Sequence, residues 1–201
     1  MPIRLDPKNL QRLRYRISWS ETEKETAMIN PEMTPPIDLP SGITLYPSHD
    51  EAIDRILNEL LERCPAEFIL LAEISGQILS VLGERTTIDL ASLGSLVAGD
   101  LAASQEIARL TAQYENYQLT LREGPKSNTF ISEAGSHLVL FVRVSKEIPL
   151  GWARLLIHET SRQLAEIIST RPEDLGKLDL GLSEEKLSSL VDDNLDSIWK
   201  G

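Results

Sequence analysis

Three histidines, one cysteine and one glycine-lysine-serine turn are the residues of this chain whose types and spacing could do chemistry. His158-Glu159 opens like the zinc-binding helix motif H-E-x-x-H, in which two histidines one turn apart hold the metal, but Arg162 stands where the second ligand is needed. His49 and His137 lie far from it in sequence, and no Cys/His cluster is present, so no metal site is expected. Gly124-Pro125-Lys126-Ser127 looks like the end of a phosphate-binding loop. The position of that loop's first glycine holds Thr120, however, and the segment joins two strand-like stretches instead of a strand and a helix. No G-x-S-x-G elbow occurs. Cys64 closes an apolar helical stripe and reads as a small buried hydrophobe, not a nucleophile. Neither a catalytic residue nor a cofactor nor a metal is therefore expected, and the chain is not read as an enzyme.

Composition narrows the remaining classes. The chain has 201 residues, a net charge of -11 and a pI near 4.8, which argues against nucleic acid, because phosphate affinity is built from clustered Lys and Arg. Aromatic residues make up 5% of the chain, too few for base-stacking platforms. A single cysteine excludes an internal disulfide and fits a reducing compartment. The first residues, MPIRLDPKNLQRLRYRI, hold no continuous apolar core of a signal peptide, and no long uncharged apolar run follows. The expectation is a cytoplasmic protein without an integral membrane segment.

The elements fall into three parts. Residues 1–47 comprise a short helix from Asp6-Pro7 to about Ile17, with a net charge of +4, and then a proline-rich linker without an apolar period. Residues 48–169 carry the periodic signals of a domain. Ser48-His49-Asp50-Glu51 has capping-box spacing before a helix with Ile53, Ile56, Leu57, Leu60 and Cys64 on one face. Two short apolar runs, 68–74 and 78–82, flank Ser75-Gly76-Gln77 and predict a β-hairpin. After a second helix, strands over 118–122, 129–133 and 137–144 follow at short connections, predicting a meander whose last strand, with the apolar run Leu138-Val139-Leu140-Phe141-Val142, lies mid-sheet. A last helix is expected to bury Ala153, Leu156, Ile157, Thr160, Leu164, Ile167 and Ile168 and to turn Arg154, His158, Glu159, Arg162 and Glu166 outward. Residues 170–201 form an acidic tail, in which Leu187, Leu190, Val191 and Ile198 line one side of a helix begun at Ser183, with Trp199 beyond. That helix either docks on a partner through these residues or folds back on the domain. The fold class is thus α+β, a five-stranded antiparallel sheet in the order helix, hairpin, helix, three-strand meander, helix.

The second helix is the anomaly. Ile88 to Ser104 carries only Asp89 and Asp100 as charged residues, whereas a surface helix normally keeps a whole charged side. Leu90, Leu93, Val97 and Leu101 form a large apolar stripe for the domain's own core. Beside it Ala91, Gly94, Ser95, Ala98 and Ala102 form a small-residue strip that allows another backbone close, and this strip is expected to be covered by a partner.

These elements in this order resemble the Roadblock family, the dynein light-chain and bacterial GTPase-regulator domain. The residues that carry the likeness are Ile74-Ser75-Gly76-Gln77-Ile78-Leu79, the Ala/Gly/Ser/Leu helix from Leu90, Leu121-Arg122-Glu123-Gly124, and Leu150-Gly151-Trp152-Ala153-Arg154. Ser75 departs from the acidic residue or asparagine often found at the family's hairpin turn. The resemblance implies a Roadblock/longin-like fold, a homodimer or a pair with a related Roadblock subunit, joined across the third strand and long helix, and a Ras-like small GTPase as partner, held or activated without a donated catalytic side chain. The expected dimer residues are Ala91, Gly94, Ser95, Ala98, Ala102, Gln118, Thr120 and Arg122. The alternative is a small-ligand sensor or generic interaction module on a profilin-like or PAS-like sheet, which would enclose an apolar cavity.

Overall fold

A computed structural model describes residues 15–16, 36–83, 88–111, 119–183 and 185–189. Its frame is one antiparallel sheet in the order β1-β5-β4-β8-β7-β6. The expected hairpin is β4 (Ala66–Glu73) and β5 (Ile78–Gly83), and the meander is β6 (Leu119–Glu123), β7 (Ser127–Ala134) and β8 (Leu138–Ser145). β8 pairs with β4 along most of its length and with β7 along all of it. The strand with the apolar run 138–142 thus sits mid-sheet, as the sequence predicts. Outside β5 lies the two-residue strand β1 (Tyr15–Arg16), which makes six strands in all.

Strand alternation sorts the core into two layers. Ile69, Leu71, Leu140 and Val142 point to one face, under α1 (Pro47–Arg63) and α3 (Leu150–Ser169), where they meet Leu57, Leu60, Leu156 and Leu164. Phe68, Leu70, Ile131 and Val139 point to the other, where α2 (Leu90–Leu110) supplies Val97 and Leu101, with Leu90 and Leu93 packed alongside. Asp89 caps α2, its carboxylate accepting from the Ala91 N–H and the Ser92 hydroxyl.

Four expectations are corrected. First, the helix expected over residues 6–17 has strand β1 at its end, and the rest of that span lies outside the described residues. Second, the upstream segment is not all linker. β2 (Ile37–Asp38) and β3 (Thr44–Leu45) form a small ribbon whose Leu39, Ile43 and Leu45 are buried in the α1–α3 core. Third, α1 starts at Pro47, whose fixed φ suits a first turn, and His49 rather than Glu51 reaches back, its Nδ1 accepting the Tyr46 N–H at 3.3 Å. Fourth, Glu159 is buried, because Arg162 and the Gln163 amide donate to its Oε1 at 2.6 and 2.8 Å and replace its water.

The chain beyond α3 packs onto the same face. A short 3-10 helix, Pro172–Lys177, buries Leu175, and the strap it leads into buries Leu182 and Leu187 in the same α1–α3 core. Glu59 accepts the Leu182 N–H at 2.8 Å, and Gln163 bonds the backbone of Gly181. Gly181 has φ +118°, a conformation that side chains disfavour, and an added Cβ would lie 3.1 Å from the Glu59 carboxylate.

Candidate interaction surface

The residues that could have done chemistry are spent on structure. His49 is buried, its Nε2–H donating to the Thr170 carbonyl at 2.9 Å, and burial holds its pKa below the ordinary value against the opposing pull of that bond. His137 stands at the β7–β8 turn. His158 is half-buried on α3, its pKa likewise lowered chiefly by burial. Among the described residues no three His, Cys, Asp or Glu side chains group closely enough to hold a metal. Cys64 is buried, and burial pushes its thiol up to about 11. Gly124-Pro125-Lys126-Ser127 turns β6 into β7, with the Gly124 N–H donating to the Ser127 carbonyl at 3.0 Å.

What α2 offers instead is a surface, and its orientation differs from the expectation. Val97 and Leu101 face the sheet as read. Gly94 and Ala98 face it too, because Gly94 sits against the hairpin turn, where an added Cβ would come within 2.5 Å of the Gly76 carbonyl oxygen. The close approach that a small residue permits is therefore to the protein's own β4–β5 turn. Ala91, Ser95 and Ala102 are exposed, so the small-residue strip is split between the core and solvent.

The bare face lies further round the helix. Leu96, Ile107 and Leu110 are 71%, 62% and 70% exposed, and Gly99 and Ala103, also exposed, fall between them. These positions follow one another at steps of three, four, four and three residues, which keeps them on one side of the helix. The sequence signal existed: Leu96, Ile107 and Leu110 are the large apolar residues left over once the core stripe is assigned.

Beside α2 runs β6, which ends the sheet on the side opposite β1. Thr120 is half-buried, its hydroxyl 3.3 Å from that of Ser104, and Arg122 is exposed and ion-paired with Asp100. Gln105 donates to Glu133 of β7 at 3.0 Å, so polar contacts fix α2 to β6 at two points and to β7 at a third. Thr120 and Arg122 therefore join the exposed strip of α2, while Gln118 lies outside the described residues. Of the tail residues expected to bind a partner, Leu187 is 5% exposed in the protein's own core. It is removed from that role by packing against the α1–α3 layer, and Leu190, Val191, Ile198 and Trp199 lie outside the described residues.

The sensor alternative looks for an enclosed apolar cavity. A cleft of about 540 Å³ is half open to solvent and not enclosed, and its lining mixes apolar groups such as Ile43 and Ile168 with Thr44, Ser136 and His137. A second of about 310 Å³ continues past Gly135 to His158 and Arg162. No described helix is long and apolar enough to cross a membrane.

A five-stranded meander-and-hairpin sheet with two helices on one face and a long, half-bare helix on the other defines the class. No protein-family model and no curated protein matches the chain. Solved structures do. The gliding protein MglB of Thermus thermophilus is 29% identical with a TM-score of 0.57, over 63% of this chain and 95% of that one. MglB of Myxococcus xanthus is 32% identical with a TM-score of 0.54, over 57% and 93% respectively. A Roadblock/LC7 domain from Streptomyces avermitilis, at 18% identity and TM-score 0.52 over 58% and 98%, shares the fold. The chain belongs to the Roadblock family.

Proposed function

We propose that this protein is a self-pairing scaffold and regulator of a Ras-like small GTPase. The observation that carries the pairing is the exposed line Leu96, Gly99, Ala103, Ile107 and Leu110 next to the open β6 edge. Joining two β6 edges continues the sheet and lays the two α2 seams together, which removes apolar surface and unpaired backbone groups in one step. The resulting interface residues are those of this line with Ala91, Ser95, Ala102, Thr120 and Arg122. Homologous subunits of related sequence fit the same surface as a second copy does.

The GTPase comes from the family reading and from the likeness to the two MglB proteins. On that reading the pair works by holding the GTPase's own residues in place and donates no catalytic side chain. Residues 190–201, with Leu190, Val191, Ile198 and Trp199, supply a further apolar contact for it. The test is co-purification of the full chain with a Ras-like GTPase loaded with GDP or a non-hydrolysable GTP analogue, followed by GTP hydrolysis with and without the chain. Binding to one nucleotide state supports the reading, and faster hydrolysis identifies activation. Lack of binding in either state removes it.

A further inference from the structure

The two edges of the sheet are treated differently. β6 is open, whereas β5, the outer strand of the hairpin, carries β1 on its far side, with Tyr15 opposite Val81 and Arg16 opposite Ser80 in antiparallel register. An edge strand with uncovered N–H and C=O groups is a template for another chain. β5 would be an effective one. Ile78-Leu79-Ser80-Val81-Leu82-Gly83 has no charge and no proline, is rich in strand formers, and is buried along its whole length.

We propose that the β5 edge is a second self-association site, closed in cis by the N-terminal arm and open to the β5 edge of a second copy when the arm is displaced. Two features hold the arm in place. Residues 1–17 carry net charge +4 in a chain of -11, so the rest of the chain carries -15 and attracts them. Residues 17–36 tether it, giving an effective concentration on the order of millimolar, which favours the cis strand over a free one. The second copy fits the vacated edge because two β5 strands pair antiparallel about a two-fold axis with no like charges opposed. The site does not depend on the β6 and α2 reading, which sets only the size of the product: tetramers and longer rows if that pairing holds, dimers if it does not.

The test compares the full chain with full-length Tyr15→Pro/Arg16→Pro, which removes the two backbone donors of β1. Light scattering is expected to give the variant at least twice the parent's mass, and an excess of a peptide of residues 8–20 is expected to return it to the parent's mass. A charge-reversed full-length arm, Arg12→Glu/Arg14→Glu/Arg16→Glu, should shift mass in the same direction. An unchanged mass in either variant overturns the proposal, and so does a larger mass that the peptide does not reverse. A parent that is itself monomeric counts against the β6 and α2 pairing alone and leaves the comparison with the variants intact.

Discussion

The side-chain amide of Gln163 and the backbone of Gly181 close a two-bond ring: the Gly181 N–H donates to Oε1 at 2.8 Å, and Nε2 donates to the Gly181 carbonyl at 2.9 Å. Gln163 is fully buried, and its Nε2 also donates to the buried Glu159. Gln163→Ala strips partners from Gly181 and Glu159 at once and is expected to cost about 2–3 kcal/mol, the scale of buried polar groups left unpaired. The shift in urea midpoint at constant slope measures it. A change below about 0.5 kcal/mol would mean that the strap adds little to the fold.

Leu96→Glu and Ala98→Glu, two residues apart on α2, are expected to fail differently. Leu96 is exposed in one copy and would be covered in the proposed pair, so its substitution should weaken self-association roughly 10- to 100-fold while leaving thermal unfolding of the monomer in place. Ala98 is 7% exposed against the protein's own sheet, so a carboxylate there should destabilise the fold itself by about 3–5 kcal/mol. Sedimentation and denaturation of both variants decide it, and the reverse pattern would return the interface to the Gly94–Ala98 side.

His49 gives the fold a pH dependence of definite sign. The folded protein holds the imidazole neutral, with burial lowering its pKa, while the unfolded chain takes up a proton near pH 6.5. Its contribution is therefore complete above about pH 6.5 and is lost as pH falls from there through the lowered folded pKa. His158, lowered in the same direction, adds to the same slope. Unfolding midpoints from pH 8 to pH 5 should fall toward acid, and His49→Gln should flatten part of that fall.

Cys64 should resist alkylation. With its thiol pushed up to about 11 and its side chain buried, it holds little thiolate at pH 8. Iodoacetamide labelling should be slow in the native protein and rapid in denaturant, and fast native labelling would show that the end of α1 opens readily.

The elements legible in the sequence were those with a period. α1, α3, the β4–β5 hairpin and the β6–β7–β8 meander all announce themselves by apolar spacing, and their order carried the family. The orientation of α2 was only half legible, because it has two apolar stripes. Which small residues face the sheet is decided by Gly94 meeting the β4–β5 turn, a contact between segments that no local pattern encodes. Leu39, Ile43 and Leu45 give no signal because a two-stranded ribbon among prolines shows no period, and Leu175 and Leu182 give none because each is a single anchor; Leu187 does stand on the predicted tail helix, and its burial in the α1–α3 core is the fold-back arrangement. Glu159 was misplaced outward since a charge on a helix reads as solvated until its buried donors are seen.

The strap also gives the molecule a front and a back. Leu182 and Leu187 anchor the chain on the α1–α3 side, the face of the sheet opposite the one that α2 covers. A fluorophore or affinity handle attached downstream of Leu187 therefore begins its path behind the sheet, and immobilising the protein that way presents α2 and its exposed leucines outward to whatever is flowed across them.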